Sequence, residues 1–203
     1  MKKGFFIVVE GGDGSGKTTQ VKLLKDHFTK KGKEVVIVEE PGGTPLGDSI
    51  RKILLAKNKN ITPLAELLLY EASRSQLVQD VIKPALREGK VVIADRFHLS
   101  SVAYQSWGRR LPLQLVEMLN YEATKGLQPD LLLILDIPPE EGLKRIKTKD
   151  RIESEDIEFH RRVRLGYRRA AKSAGGIIID GKKKPQEIFE EVICALKEKE
   201  KGA

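Results

Sequence analysis

The stretch FFIVVEGGDGSGKTTQVKLLKDHF, residues 5–28, decides the fold. Phe5 to Val9 is an unbroken apolar run. A strand with one wet face would alternate polar and apolar residues, so this one reads as covered on both sides. From Thr18 to Lys31 the apolar residues Val21, Leu24 and Phe28 recur at helical spacing. Between the two lie four glycines and a lysine. Gly11-Gly12-Asp13-Gly14-Ser15-Gly16-Lys17-Thr18 satisfies the pattern G-x-x-x-x-G-K-[ST]. Glycines let the chain take left-handed angles and bring backbone N–H groups close to a phosphate, and the helix N-terminus adds partial positive charge. In such loops the lysine reaches the β and γ phosphates and the hydroxyl after it ligates Mg²⁺. Residues Gly11 to Thr18, with Thr19 beside them, are therefore the candidate triphosphate seat. The competing reading is a glycine-rich turn that holds nothing. A strand before and a helix after favour the seat.

Further apolar runs lie at Val35–Val38, Val91–Ala94, Leu131–Ile137 and Ile177–Ile179. Helical patterns such as Leu64–Gln79 and Gln186–Lys197 separate them. This alternation predicts an α/β chain: a five-stranded parallel sheet with helices on both faces, in three layers. Gly32 and Gly89 stand where helix C-caps are needed. Pro84 predicts a kink or a junction between helices. No repeat, linker or composition break divides the chain, so residues 1–203 read as a single domain. No stretch of 18 apolar residues occurs, so no membrane span is expected. The one cysteine, Cys194, rules out an internal disulfide and points to the cytoplasm, with a packing or surface role in its helix.

The formal net charge is +8. Basic chains bind nucleic acids, membranes or phosphorylated small molecules. Runs such as KEKEK interleave both signs and read as a solvated face. There is no RNA-recognition signature, zinc-ligand spacing or aromatic-rich basic strand, so small phosphorylated molecules are the expected partners rather than nucleic acid.

The second informative stretch is ADRFHLSSVAYQ, residues 94–105. Asp95 ends a strand, and strand C-termini in a parallel sheet face the ligand crevice. A carboxylate there can hold Mg²⁺ together with Thr18. Arg96 can grip a phosphate with two hydrogen bonds. The alternative is an ordinary surface ion pair.

Three more stretches are EEPGGTPLGDSIRKILL (39–55), LLLYEASRSQLV (67–78) and LDIPPEEGLKRI (135–146). The combination of E-P-G-G-T, Y-x-x-x-R, D-R-F-x-x-S-S-x-A-Y-Q and D-R-I-E with the phosphate loop resembles the thymidylate kinase family. The resemblance runs from Phe5 to about Asp180. It implies the P-loop NTPase fold with a short mobile lid at about 145–156. It also implies transfer of the γ-phosphoryl group of ATP to dTMP, giving dTDP and ADP, with Mg²⁺, in a homodimer. A nearby alternative is another P-loop kinase acting on a deoxynucleoside or a different nucleoside monophosphate. Rivals from other classes are a nucleic-acid-binding ATPase and a nucleotide-binding module without catalysis.

The resemblance also suggests roles. Asp13 contacts the sugar 3′-hydroxyl. Tyr70 stacks on thymine, and Arg74, one helical turn on, donates to the thymine O4. Arg51 and Arg96 hold the acceptor phosphate. Glu40 and Pro41 wall the acceptor site, Ser101 and Gln105 meet the base edge, and Tyr104 packs against the sugar 2′ carbon. Since the phosphate loop carries Gly14 and Ser15 and no basic residue there, the catalytic cation is expected in the lid. Arg151 is the first choice, with Lys147 and Lys149 behind it; Arg145 is placed on adenine, and the GKKK segment after Asp180 on the adenine side. His27, His98 and His160 are expected to be structural or exposed, with His98 alone near the site. Three features depart from the family pattern. Glu39 replaces a usual arginine, the lid is short, and SWGRR (106–110) replaces a more glycine-rich stretch.

Overall fold

The computed structural model describes residues 4–57 and 59–201. Five strands, β1 (Phe5–Gly11), β2 (Val35–Glu39), β3 (Val91–Asp95), β4 (Leu131–Asp136) and β5 (Ile177–Asp180), form one sheet in the order β2-β3-β1-β4-β5. All four pairings are parallel. β1 is central, and its side chains divide the core. Phe6 and Val8 enter one apolar cluster, Ile7 and Val9 the other. α1 (Lys17–Lys30) and α9 (Pro185–Lys201) cover the second face through Val21, Leu24, Ile188 and Val192. The first face carries α3 (Pro63–Leu77), which packs beside α2 (Pro45–Leu55), and α8 (Ile157–Ser173). The predicted strands and helices are present, with ends differing by one to a few residues. The α/β, three-layer expectation holds.

The sheet order makes β1 a switch point. β3 lies on one side of it and β4 on the other, so the connections leaving their C-terminal ends diverge and open a crevice there. The turns that follow β1, β2, β3 and β4 carry the residues of the candidate site.

Two helical stretches depart from simple periodicity. After α3 the chain widens into a π-helical turn, Val78–Ile82, in which the Lys83 amide bonds to the Val78 carbonyl five residues back. Pro84, which has no N–H to give, follows in α4 (Lys83–Arg87). The expected junction is thus a wide turn leading into a short helix. The second case follows α5 (His98–Ser101). Val102–Gly108 is π-helical, and the Arg109 amide donates to the Tyr104 carbonyl at 2.8 Å. Such insertions recur at functional sites, and this one carries Tyr104 and Gln105. The chain breaks at Gly108 and restarts as α6 (Leu113–Thr124).

The π-helical segment lies against α8, and glycine permits the approach. A Cβ on Gly166 would lie 2.7 Å from Cγ and 2.9 Å from Cβ of Trp107. The Arg169 guanidinium sits 6.0 Å from the same ring, and Trp107 is half-buried in this local packing. Gly166→Ala is therefore expected to destabilise the fold by about 1–2 kcal/mol, the overpacking cost exceeding the gain in helix propensity. Denaturant titration followed by the emission of Trp107, the chain's one tryptophan, checks this. An unchanged midpoint with unchanged native emission would contradict it.

Candidate active site

β1 delivers the glycine loop directly. Gly16 is the N-cap of α1 in the left-handed region, with φ 96°. Gly14 is also left-handed, at φ 70°, and a Cβ there would run into the Gly142 carbonyl. Gly142 ends α7 (Pro139–Gly142), so the loop is braced from behind by the turn after β4. Lys17 folds back over the loop. Its Nζ donates to the carbonyls of Gly11 at 3.1 Å and Gly12 at 3.0 Å. Burial, together with Arg96 nearby, pulls the Lys17 ammonium down to about 8. Thr18 Oγ1 donates to Asp95 Oδ2 at 2.8 Å, although 77 residues separate them in sequence. That hydroxyl–carboxylate pair offers hard oxygen donors of the kind Mg²⁺ prefers.

Arg96 ties β3 to the loop, with its own backbone at φ 74°. Its Nη1 donates to the Gly11 carbonyl and to the Tyr167 hydroxyl, each at 3.0 Å, and its Nη2 pairs with Asp13. Tyr104 donates its hydroxyl to the other Asp13 oxygen at 2.8 Å and lies under the Arg96 guanidinium, 5.1 Å away. Burial raises the Asp13 carboxyl, but Arg96, Lys17 and the Tyr104 hydroxyl outweigh it and hold the group below its usual range. The histidine beside this carboxylate is His160, with Nδ1 3.7 Å from Asp13. His98 lines a separate cavity with Trp107 and Arg169, which corrects the expectation that it is the histidine nearest the site.

A cavity of about 220 Å³ opens in front of Arg96. Its lining includes Tyr70, Tyr104, Ser101 and Gln105 from the helices, Glu40, Pro41 and Arg51 from β2's end and α2, and Asp13, Lys17, Thr18 and Asp95 from the loop and the end of β3. A second cavity, of about 440 Å³, lies across the loop. Arg145, Lys183 and Pro185 line it together with Ser15, Gly16 and Thr19. Arg145 donates to the carbonyls of Gly14 and Gly181, each at 3.2 Å, so the segment after Asp180 does come to this side. Gly14, Lys17 and Thr18 belong to both cavities.

Two arginines are not where the sequence suggested. Arg74 is 1 % exposed and does not line the cavity. Its Nε donates to Glu40 at 2.7 Å, its Nη1 faces Glu71, Ser101 and Asn120, and its Nη2 donates to the Phe97 carbonyl. Every donor of the fork is engaged inside the protein, so in this structure Arg74 backs the wall formed by Glu40 and Ser101 instead of presenting itself to a base. Arg151, expected as the catalytic cation, is turned away from the phosphate loop. It donates to Glu66 Oε2 at 2.6 Å and to the Leu54 carbonyl at 2.8 Å. Lys147 and Lys149 are exposed in the same segment.

Arg51 donates to the Pro41 carbonyl and to Glu39, each at 2.8 Å. Glu39, which departs from the family pattern, thus does more than remove a cation, because it also engages one. Several participants were missed. Glu10, fully buried at the end of β1, accepts from the amides of Phe97 and Ser100 and from the hydroxyls of Ser100 and Tyr167. An acid inside the apolar run FFIVVE was the available signal. Asp150, Ile152 and Glu153 line the 220 Å³ cavity, which nothing in the lid's composition announced.

Comparison with known proteins decides the family. The thymidylate kinase family model matches residues 9–192. The chain belongs to the thymidylate kinase family. The thymidylate kinase of Caldanaerobacter subterraneus subsp. tengcongensis is 48% identical over 99% of both chains. That of a Sulfurihydrogenibium species is 45% identical over 97% of this chain and 98% of its own. Among solved structures, the thymidylate kinase of Ehrlichia chaffeensis matches with a TM-score of 0.78 and 34% identity, covering 96% of this chain and 99% of its own. Members of the family phosphorylate dTMP to dTDP with ATP as donor.

The Lys17 environment sets a pH dependence. A bound polyphosphate restores the charge that burial and Arg96 disfavour, so it raises the Lys17 pKa and binding above pH 8 takes up a proton. ATP affinity is expected to be level below the Lys17 pKa of about 8 and to fall by up to about tenfold per pH unit above it. Calorimetry in buffers of different ionisation enthalpy reads the proton uptake. Affinity that stays constant to about pH 9.5 would contradict it.

Proposed function

We propose that this chain transfers the γ-phosphoryl group of ATP to dTMP, with dTMP in the 220 Å³ cavity and ATP across the glycine loop in the 440 Å³ one. The observation that carries the layout is the shared boundary. Gly14, Lys17 and Thr18 face both cavities, so two phosphate tails entering from opposite sides meet there.

Roles follow from chemistry. The loop N–H groups and Lys17 hold the β and γ phosphates. Arg96 and Arg51, both in the lining of the acceptor cavity, draw in the dTMP phosphate. An oxygen of that phosphate is already ionised at neutral pH, so no strong general base is required. It attacks the γ-phosphorus in line as the bond to the β,γ-bridging oxygen breaks, and positioning and charge neutralisation supply most of the acceleration. Asp13 stays ionised and keeps lone pairs free beyond those used by Arg96 and Tyr104, so it can accept from the sugar hydroxyl. Tyr70 covers the base, Ser101 and Gln105 meet its edge, and Tyr104 lies against the sugar. Thr18 and Asp95 are the residues that would hold Mg²⁺, which would neutralise charge on the donor phosphates. Lys147 and Lys149 remain as the lid cations able to swing over the donor; Arg151 does not.

The chain works as one domain with residues 145–156 as its lid. No helix among the described residues is long and apolar enough to cross a membrane. Small-molecule substrates, a cytoplasmic setting and no nucleic acid partner complete the reading. A homodimer fits the apolar side chains left exposed on neighbouring helices, Leu64 and Leu68 on α3 and Met118 and Tyr121 on α6.

ADP release measured over dTMP, dUMP, dCMP, GMP, AMP and thymidine tests the assignment. dTMP is expected to give the highest kcat/KM, with dUMP about 10–200-fold lower for want of one methyl group. Faster turnover of thymidine than of dTMP would contradict the roles given to Arg51 and Arg96.

A further inference from the structure

Glu66 is fully buried in α3, one helical turn before Tyr70 and on the same face. No role in the reaction as laid out above uses it, yet it accepts from three side chains on two other segments, Gln105 and Arg109 at the π-helical turn and Arg151 in the lid. Gln105 Nε2 donates to Oε1 at 2.9 Å. Arg109 donates from Nε and Nη2, each at 3.1 Å. Arg151 donates from Nη2 at 2.6 Å. Gln105 is a wall of the acceptor cavity, and Arg151 belongs to the lid segment.

Around Arg151 the lid segment folds into a tight turn. The Asp150 amide donates to Glu153, and the Glu153 amide donates back to Asp150, at 2.9 and 2.8 Å. This reciprocal arrangement is the one that a capping box makes. The turn is docked from both sides. The Arg151 amide and side chain reach the carbonyls of Leu55 and Leu54, and Ile152 is buried in the main apolar cluster with Tyr104 and Phe159. Arg109 adds a second tie, to Glu155 at 2.6 Å. Asp150, Ile152 and Glu153 consequently face the acceptor cavity.

We propose that Glu66 is a positioning residue for the acceptor: one carboxylate holds Gln105 and Arg151 together and so fixes the 150–153 turn as a wall of the dTMP cavity. The inference rests on placing dTMP in that cavity. It divides the lid segment in two. The half up to Lys149 carries the exposed Lys147 and Lys149, and the half from Asp150 on shapes the acceptor site. Arg151 acts from behind that wall and does not touch a phosphate.

Steady-state kinetics on the full chain test this with Glu66→Gln, Arg151→Met, their double variant, and Arg151→Lys. Both single removals are expected to raise KM for dTMP about tenfold or more while kcat and KM for ATP change less than about threefold. The double variant is expected to be no worse than the worse single, and Arg151→Lys to recover part of the lost dTMP affinity. Loss of kcat by about a hundredfold in Arg151→Met, at unchanged KM for dTMP, would make Arg151 a phosphate contact and overturn the proposal. So would additive effects in the double variant. If Glu66→Gln does not fold, the split between KM and kcat in Arg151→Met decides by itself. The unsubstituted chain run in parallel separates the two layers. If it leaves dTMP unphosphorylated, the acceptor assignment falls and this inference with it; if it turns over normally while the variants lose only kcat, this inference alone falls.

Discussion

A guanidinium facing a narrow cavity is costly unless something shares its charge, and the arginines of this site are arranged around that constraint. Arg51 is held by Glu39, Arg96 by Asp13, Arg74 by Glu40 and Glu71, and Arg151 by Glu66. Pairing sets each side chain's direction before any ligand arrives. Arg51 and Arg96 leave their charge on the cavity wall, where an anion can reach it. Arg74 and Arg151 spend theirs inside, where removal of one partner strands the other at a cost of about 3–5 kcal/mol. The same residue type thus lines the cavity or acts as a buttress, according to which acid stands behind it.

The glycine loop depends on the same economy of space. It is seated between β1 and α1, and its back rests on Gly142, so its N–H groups point to a fixed place. Arg96 bonds the Gly11 carbonyl and Asp13 at once, which locks the end of β3 to the loop. The two cavities therefore share one corner at the switch point of the sheet, and on the proposed layout positioning, the main contribution protein can make to phosphoryl transfer, is built into the fold.

Much of this corner could be read from the chain. The phosphate loop is local: strand, glycines, lysine and helix lie within 24 residues, and each constrains its neighbour. Asp95 could be assigned because a strand end in a parallel sheet has a known orientation, and it does meet Thr18. The directions of Arg74 and Arg151 were not legible, because besides Glu71 beside Arg74 they depend on acids 34 and 85 residues away that look like ordinary helix or loop residues in sequence. Glu66 sits inside AELLLY, a pattern that serves equally for a solvated helix. The π-helical turns were hidden too, since one wide turn does not disturb apolar spacing enough to be seen.

The central claim is that two phosphate tails meet end to end at Arg96. A crystal structure with dTMP and a non-hydrolysable ATP analogue measures it directly. The account predicts an oxygen of the dTMP phosphate about 3–3.5 Å from the γ-phosphorus, in line with the bond to be broken and in contact with Arg96. A nucleotide monophosphate lodged away from Tyr70 and Arg96, with its phosphate pointing out of the shared corner, would contradict it.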